Sequence, residues 1–179
     1  MKLEIIIPLM LAIIGYFFTY FYRLLLAKRS DKLRFIERQI NEFYGPLYIT
    51  GKVGKIMLEA LRSKRDAFGI RFLNEDSPKS KEDISEWRIW VENIFMPLNR
   101  KRQEIIIDKA HLIREEEIPF CLLQFITHVA GYEALLNKWE KDDFSESVSF
   151  FAFPYDLDEY SEKSYLDLKK NQLKLLGKF

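Results

Sequence analysis

Cysteine is almost missing from this chain. Cys121 is the only one in 179 residues, so no intramolecular disulfide can staple the fold. Its apolar neighbours suit a small buried hydrophobe in a reducing compartment rather than an activated thiolate. Histidine is nearly as scarce, with His111 and His128 alone. There is no Walker loop, GxGxxG or GxSxG, which removes the common nucleotide-binding and hydrolase signatures. No internal repeat or low-complexity tract is visible. An excess of one charge sign is also lacking. The 28 basic and 27 acidic residues leave a formal charge of +1, so no global field draws the chain to nucleic acid.

What is present is apolar. Hydrophobic residues make up 48% of the chain, too many for disorder and enough for the core of one ordinary domain. They are concentrated first in residues 5–22, which hold no charged residue; Arg23 interrupts, and Leu24, Leu25, Leu26 and Ala27 follow. About 20 helical residues cover a hydrocarbon core of ~30 Å, and only a helix satisfies its own backbone there. Pro8 falls in the first turns, where few hydrogen bonds are lost. Tyr16, Tyr20 and Tyr22 fall toward the second half, as an aromatic belt would. A cleaved signal peptide is the competing reading, but the run is long for one and no small-x-small site follows it. The expectation is a membrane anchor over 1–27, with the span at about 5–26.

Flanking charge sets the orientation. Lys2 and Glu4 precede the span, whereas Arg23, Lys28, Arg29, Lys32, Arg34 and Arg38 accompany its far end. This bias places the remainder, 28–179, in the cytoplasm of a single-pass inner-membrane protein. Arg23, Lys28, Arg29, Lys32 and Arg34 are the expected membrane-interface residues. Setting topology explains them without any lipid specificity, although they would also meet anionic headgroups.

The rest reads as helices. Leu33, Ile36, Ile40, Phe43 and Leu47 recur at helical spacing, and Gly45-Pro46 is expected to end that helix. A second helix carries Val53, Ile56, Met57, Ala60 and Leu61 on one stripe, with Gly51 and Gly54 near its start. Asn74-Glu75-Asp76-Ser77-Pro78 is a loop. A third helix starts near Ser80 with Asp83 in a capping position. Its stripe is Ile84, Trp87, Val91, Ile94, Phe95 and Leu98, with Pro97 kinking or restarting it. The pattern resumes through Ile105, Ile106, Lys109, Leu112 and Ile113, and Ile118-Pro119 breaks it. A fourth helix from Phe120 to Trp139 is apolar nearly all round and is therefore expected at the centre of the core. Phe144 to Tyr155 is a loop, or at most a short extended piece. Asp156-Leu157-Asp158-Glu159 then opens a last helix, acid at its positive end and base at its negative end. The expected fold is all-α: an N-terminal transmembrane helix followed by a cytosolic antiparallel helical bundle.

Chemistry is sparsely encoded. His111 and Glu115 would share a helix face, but a metal site needs more ligands. His128 on the apolar helix fits a hydrogen-bonded core residue better than a general base, since neither a nucleophile nor an orienting acid can be assigned to it. Asn99-Arg100-Lys101-Arg102, after Trp87 and Trp90, could grip phosphates, but no long basic stripe supports nucleic acid as a partner. No catalytic, cofactor-binding or metal residue is assigned. Phe150, Phe151, Phe153 and Tyr155 are the densest aromatic patch. They either plug the end of the bundle, the favoured alternative, or anchor a partner.

Asn41-Glu42-Phe43-Tyr44-Gly45-Pro46-Leu47-Tyr48, then Ile118-Pro119-Phe120, His128 and Tyr132-Glu133-Ala134-Leu135-Leu136-Asn137-Lys138-Trp139, resemble a group of small single-span bacterial membrane proteins of unassigned activity. The resemblance implies the bacterial inner membrane and a link to mobile-element or phage-defence loci; it carries over no catalytic residue.

The sequence thus points to a membrane-tethered helical interaction module without enzymatic activity, whose partners are the bilayer and either another protein or a second copy. Its basic anchor-proximal helix and late acidic residues (Asp142, Asp143, Glu146, Asp156, Asp158, Glu159, Glu162) would pair between copies or within one domain. The alternative is a membrane-perturbing effector acting by assembly of its span, for which Gly15, Ala12 and Thr19 are the only small-residue footholds.

Overall fold

The computed structural model describes residues 2–66 and 81–178, with the side chains of 2–6, 8 and 64–66 left aside. Every regular element among the described residues is helical: α1 (Lys2–Arg38), α2 (Gly45–Asp66), α3 (Lys81–Trp90), α4 (Met96–Asp108), α5 (Phe120–Trp139) and α6 (Asp156–Leu175). The loop expected at Asn74 to Pro78 and the helix start expected at Ser80 lie outside the described residues.

The expected stop at Gly45-Pro46 does not occur. α1 passes into α2 through a π-turn, Gln39–Tyr44, in which the Gly45 N–H donates to the Ile40 carbonyl five residues back. A proline inside an α-helix fails because its ring meets the carbonyl four residues back and its missing N–H breaks the ladder. The wider π-turn relieves both faults one residue before Pro46. Pro97 is handled in the same way. The π-turn Val91–Phe95 joins α3 to α4, and the Met96 N–H donates to the Val91 carbonyl. The stop marked at Gly45-Pro46 is thus a bulge inside a longer helix, whereas at Pro97 the helix restarts as α4 after its π-turn, as expected. Gly45 keeps helical angles (φ −62°, ψ −53°), so its glycine is not needed for a left-handed turn. It is needed for space, because a Cβ there would strike the Ile40 carbonyl oxygen.

Among the described residues one helix is long and apolar enough to cross a membrane, and none of its most apolar window is buried against the rest of the chain. Its neighbours begin further along. Ile36, Ile40, Phe43, Tyr44, Leu47 and Leu61 are buried, the last four at 0% exposure. Each such side chain contributes about 1.5–3 kcal/mol relative to an exposed one. On α2 the buried stripe is Leu47, Gly51 and Leu61, with Leu58 packed against the core; Ile56 and Ala60, expected inside, are exposed. α2 packs on α6 and α4 together, so the helix continuous with the apolar stretch is the central one. The expectation for α5 is corrected accordingly. It buries Leu122, Phe125, His128, Val129, Leu135 and Trp139 on one side, while Phe120 and Leu123 stay exposed.

α6 lies along α1 and α2 with its numbering reversed. Arg29 donates to the Leu175 carbonyl, Gln172 to Glu37, and the Tyr44 and Tyr160 hydroxyls lie 3.0 Å apart, while Tyr48 donates to Glu162. Asp156, Asp158 and Glu159 occupy its first turn and Lys174 its last, which suits the helix dipole. A Schellman turn closes it. Gly177, at φ +70°, donates to the Lys174 carbonyl, and Lys178 donates to that of Leu173.

Gly45→Ala should destabilise the protein by about 1–3 kcal/mol, the usual range for overpacking a tight site. A lower thermal midpoint in detergent checks this; an unchanged midpoint would mean that the π-turn yields freely.

Candidate functional site

A sizeable cleft, about 790 Å³, lies between α2, α4, the start of α6 and the segment before it. That is within the size range of ligand pockets. Lys52, Lys55, Glu59 and Arg62 line it from α2, Glu159 and Glu162 from α6, and Trp87, Phe95, Phe151 and Phe153 supply aromatic wall. Both charge signs meet a largely apolar surface there.

At its floor is the Arg102–Asp158 pair, 2.7 Å apart, with the Arg102 side chain 4% exposed and that of Asp158 35%. The guanidinium also stacks over Phe125 at 4.8 Å and Phe153 at 5.7 Å, a favourable placement for a cation on ring faces. Burial pulls the Arg102 pKa down, and Asp158 works against that shift. Gly51 makes the arrangement possible: a Cβ there would lie 2.6 Å from the Asp158 carboxylate and 3.1 Å from the guanidinium. α2, α4 and α6 therefore meet at one ion pair with a glycine above it.

The segment from Phe144 to Tyr155 is irregular, as expected, but firmly held. Three ring N–H groups donate to its carbonyls: Trp139 to Glu146 (2.8 Å), Trp87 to Ser147 (2.9 Å) and His128 Nδ1 to Phe151 (2.8 Å). Three of its carbonyls are thus satisfied without strand pairing. Gly131 lets it sit directly on α5, since a Cβ there would strike Ser149 Oγ and lie 2.7 Å from the Phe151 ring. The aromatic patch splits. Phe153 packs against Phe125 and His128, whereas Phe150 is 94% exposed, Tyr155 79% and Phe151 44%. Plugging the bundle is therefore the role of Phe153 alone.

His128 is a core residue, 7% exposed and surrounded by Phe125, Tyr132 and Phe153. Burial, with some help from Arg102, holds its pKa below the ordinary imidazole value against the bond to Phe151. His111 and Glu115 do not share a helix face. α4 stops at Asp108, and the 3-10 turn Ala110–Leu112 buries Leu112, whose carbonyl accepts from Gln39. His111 consequently meets Arg38 at 3.0 Å, while Glu115 accepts from Tyr160 at 2.9 Å. Among the described residues no group of three or more His, Cys, Asp or Glu could hold a metal. Cys121 is half-buried, and burial raises its thiol pKa.

The basic run is dispersed rather than aligned. Arg100 makes a bidentate contact with Glu133 (2.6 and 2.8 Å), Lys101 pairs with Glu104 and Arg102 turns inward. Of the late acids, Asp158, Glu162 and Glu146 pair within the chain, with Arg102, Lys52 and Lys138. The expected interface residues Arg23, Lys28, Arg29, Lys32 and Arg34 are all exposed, Arg34 beside Asp31. Sequence reasoning missed Arg102, Asp158, Gly51, Gly131 and Trp139 as builders of the site. The one signal available was the pair of glycines, each of which admits another side chain or backbone.

Asp158→Asn should cost about 2–3 kcal/mol. That is less than a fully buried pair would lose, because water reaches the carboxylate. Arg102→Met with Asp158→Asn should recover most of it, as denaturant midpoints would show. Stability should also fall as the pH drops below about 6.5, because the unfolded chain then protonates His128 while the folded chain resists. Glu42, Glu133 and Glu162 have lowered pKa values, so their losses come only below about 4.5, in a separate window. In His128→Gln the upper window should flatten in a pH series of melting curves. Compared with known proteins, the chain matches no family model, no curated protein and no solved structure.

Proposed function

We propose that this is a membrane-tethered interaction module: residues 5–26 cross the bilayer, an antiparallel helical bundle stands on the cytoplasmic side, and the cleft takes a segment of a protein partner. The exposure of Phe150 and Tyr155 on a segment held by three ring N–H bonds carries the reading. Large aromatics fixed in water give up contact energy and lose little further entropy when a partner covers them, which is how binding anchors work. Phe151 and Tyr155 also line the cleft, so ridge and groove form one surface of mixed charge and apolar wall.

Several observations support the tether. No residue of the apolar window is buried in the fold, unlike the core helix of a soluble domain. The backbone remains helical through 24–28, where a cleaved leader would need a small-residue site. The basic residues beyond the window favour the cytoplasmic orientation. A bacterial inner-membrane setting, with a link to defence or mobile-element loci, fits the resemblance noted above.

A photo-crosslinking residue at Phe150 or Tyr155, in the full chain in native membranes, tests the surface. A discrete adduct is expected from both positions and not from Glu104 on the outer side of α4. An adduct of twice 21.5 kDa identifies a second copy; any other defined mass identifies another protein. Equal, diffuse labelling from all three positions would overturn the reading.

A further inference from the structure

α6 returns to the helix it started beside, and the place where it ends is unusual. Arg29 donates through Nε to the Leu175 carbonyl at 2.8 Å, and its Nη2 reaches the same oxygen. This satisfies a carbonyl that a helix end leaves orphaned and places a cation at the negative pole of α6. Arg29 lies only about 4.5 Å of helix rise beyond Leu26, where the apolar stretch finishes. The last turn of α6 therefore sits beside that boundary, although nearly the whole domain separates the two in sequence.

That turn is basic. Lys170, Lys174 and Lys178 are exposed, and the four-residue spacing puts the first two on one face of the helix. The Schellman turn at Gly177 brings Lys178 just past its end. Among the described residues none of these lysines is ion-paired, nor are Lys28 and Lys32 on α1. The contrast with α4 is sharp, since Arg100, Lys101 and Arg102 each have a carboxylate partner. Setting topology does not account for the α6 lysines, because the positive-inside bias acts within about 15–20 residues of a span. Leu176, 43% exposed, adds an apolar contact at the same level.

We infer that the basic face of α1 and the lysines ending α6 form one collar that binds the headgroups of an anionic bilayer. The inference rests on the spanning reading above. Clustered lysines beside a span attract acidic lipid over roughly a Debye length. Here the tertiary fold, not the local sequence, assembles the cluster.

The test uses the full chain in nanodiscs, with Cys121→Ser and a dye on Leu176→Cys. Energy transfer to headgroup-labelled phosphatidylglycerol is compared with transfer to labelled phosphatidylcholine. The expected result is a preference for the anionic lipid that disappears at about 1 M salt, where the screening length is about 3 Å. In Lys170→Gln/Lys174→Gln/Lys178→Gln that preference should fall on the order of 100-fold, with an unchanged melting midpoint. A triple variant as selective as the parent would overturn the inference, leaving α1 to act alone. Absence of any preference in the parent, with the chain resisting carbonate extraction, would overturn the collar and leave the span standing. Extraction by carbonate would overturn both.

Discussion

The hydrogen bond from the Gly45 N–H to the Ile40 carbonyl is the point on which this structure turns. Without a π-turn there, Pro46 would end or sharply kink the helix. With it, one backbone runs from the apolar stretch through the buried Phe43, Tyr44 and Leu47 to the residues lining the cleft. The bond needs a glycine as donor because no Cβ fits beside that oxygen. α4 and α6 then pack on a rod rather than on two pieces joined by a hinge, and Arg102, Asp158 and Gly51 can meet at a fixed height along it.

Much of the helical content was legible because periodicity survives local detail. The bounds of α5, the acid-first opening of α6 and the irregular segment between them follow from composition and spacing. The Gly-Pro position misled because proline's cost depends on how many residues the preceding turn contains, and a wide turn leaves no mark on apolar spacing until afterwards. Ile56 and Ala60 have a simpler cause: they lie within regular α2, and the stripe read through them is wider than the face the fold buries. The central role given to α5 failed for a different reason: an apolar sequence shows that a helix can be covered, not that it is. Phe120 and Leu123 remain in water.

The site was the least legible part. Arg102 looks, in sequence, like one member of a surface run, and only the fold separates it from Arg100 and Lys101. Its burial follows from the rings of Phe125 and Phe153 beneath it and from Asp158, contributed by a helix far away in the chain. Likewise, nothing local to Trp87, His128 or Trp139 announces that their ring nitrogens all hold one irregular segment. Such bonds replace the ladder that a strand would have had, which is why an aromatic-rich stretch can stay irregular and still be well placed.

A π-turn also carries a phase. It holds roughly one residue more than an α-turn, and each α-helical residue turns the helix by about 100°. The wider turn takes up that extra residue, so removing one between Gln39 and Tyr44 would restore ordinary α geometry and leave Leu47 and Gly51 still facing α6. Removing one from the regular turns just after Pro46 would instead rotate all that follows by about 100° and turn Gly51 away from Asp158. The wide turn is thus a place where the length of this helix can change without changing which way its far half looks.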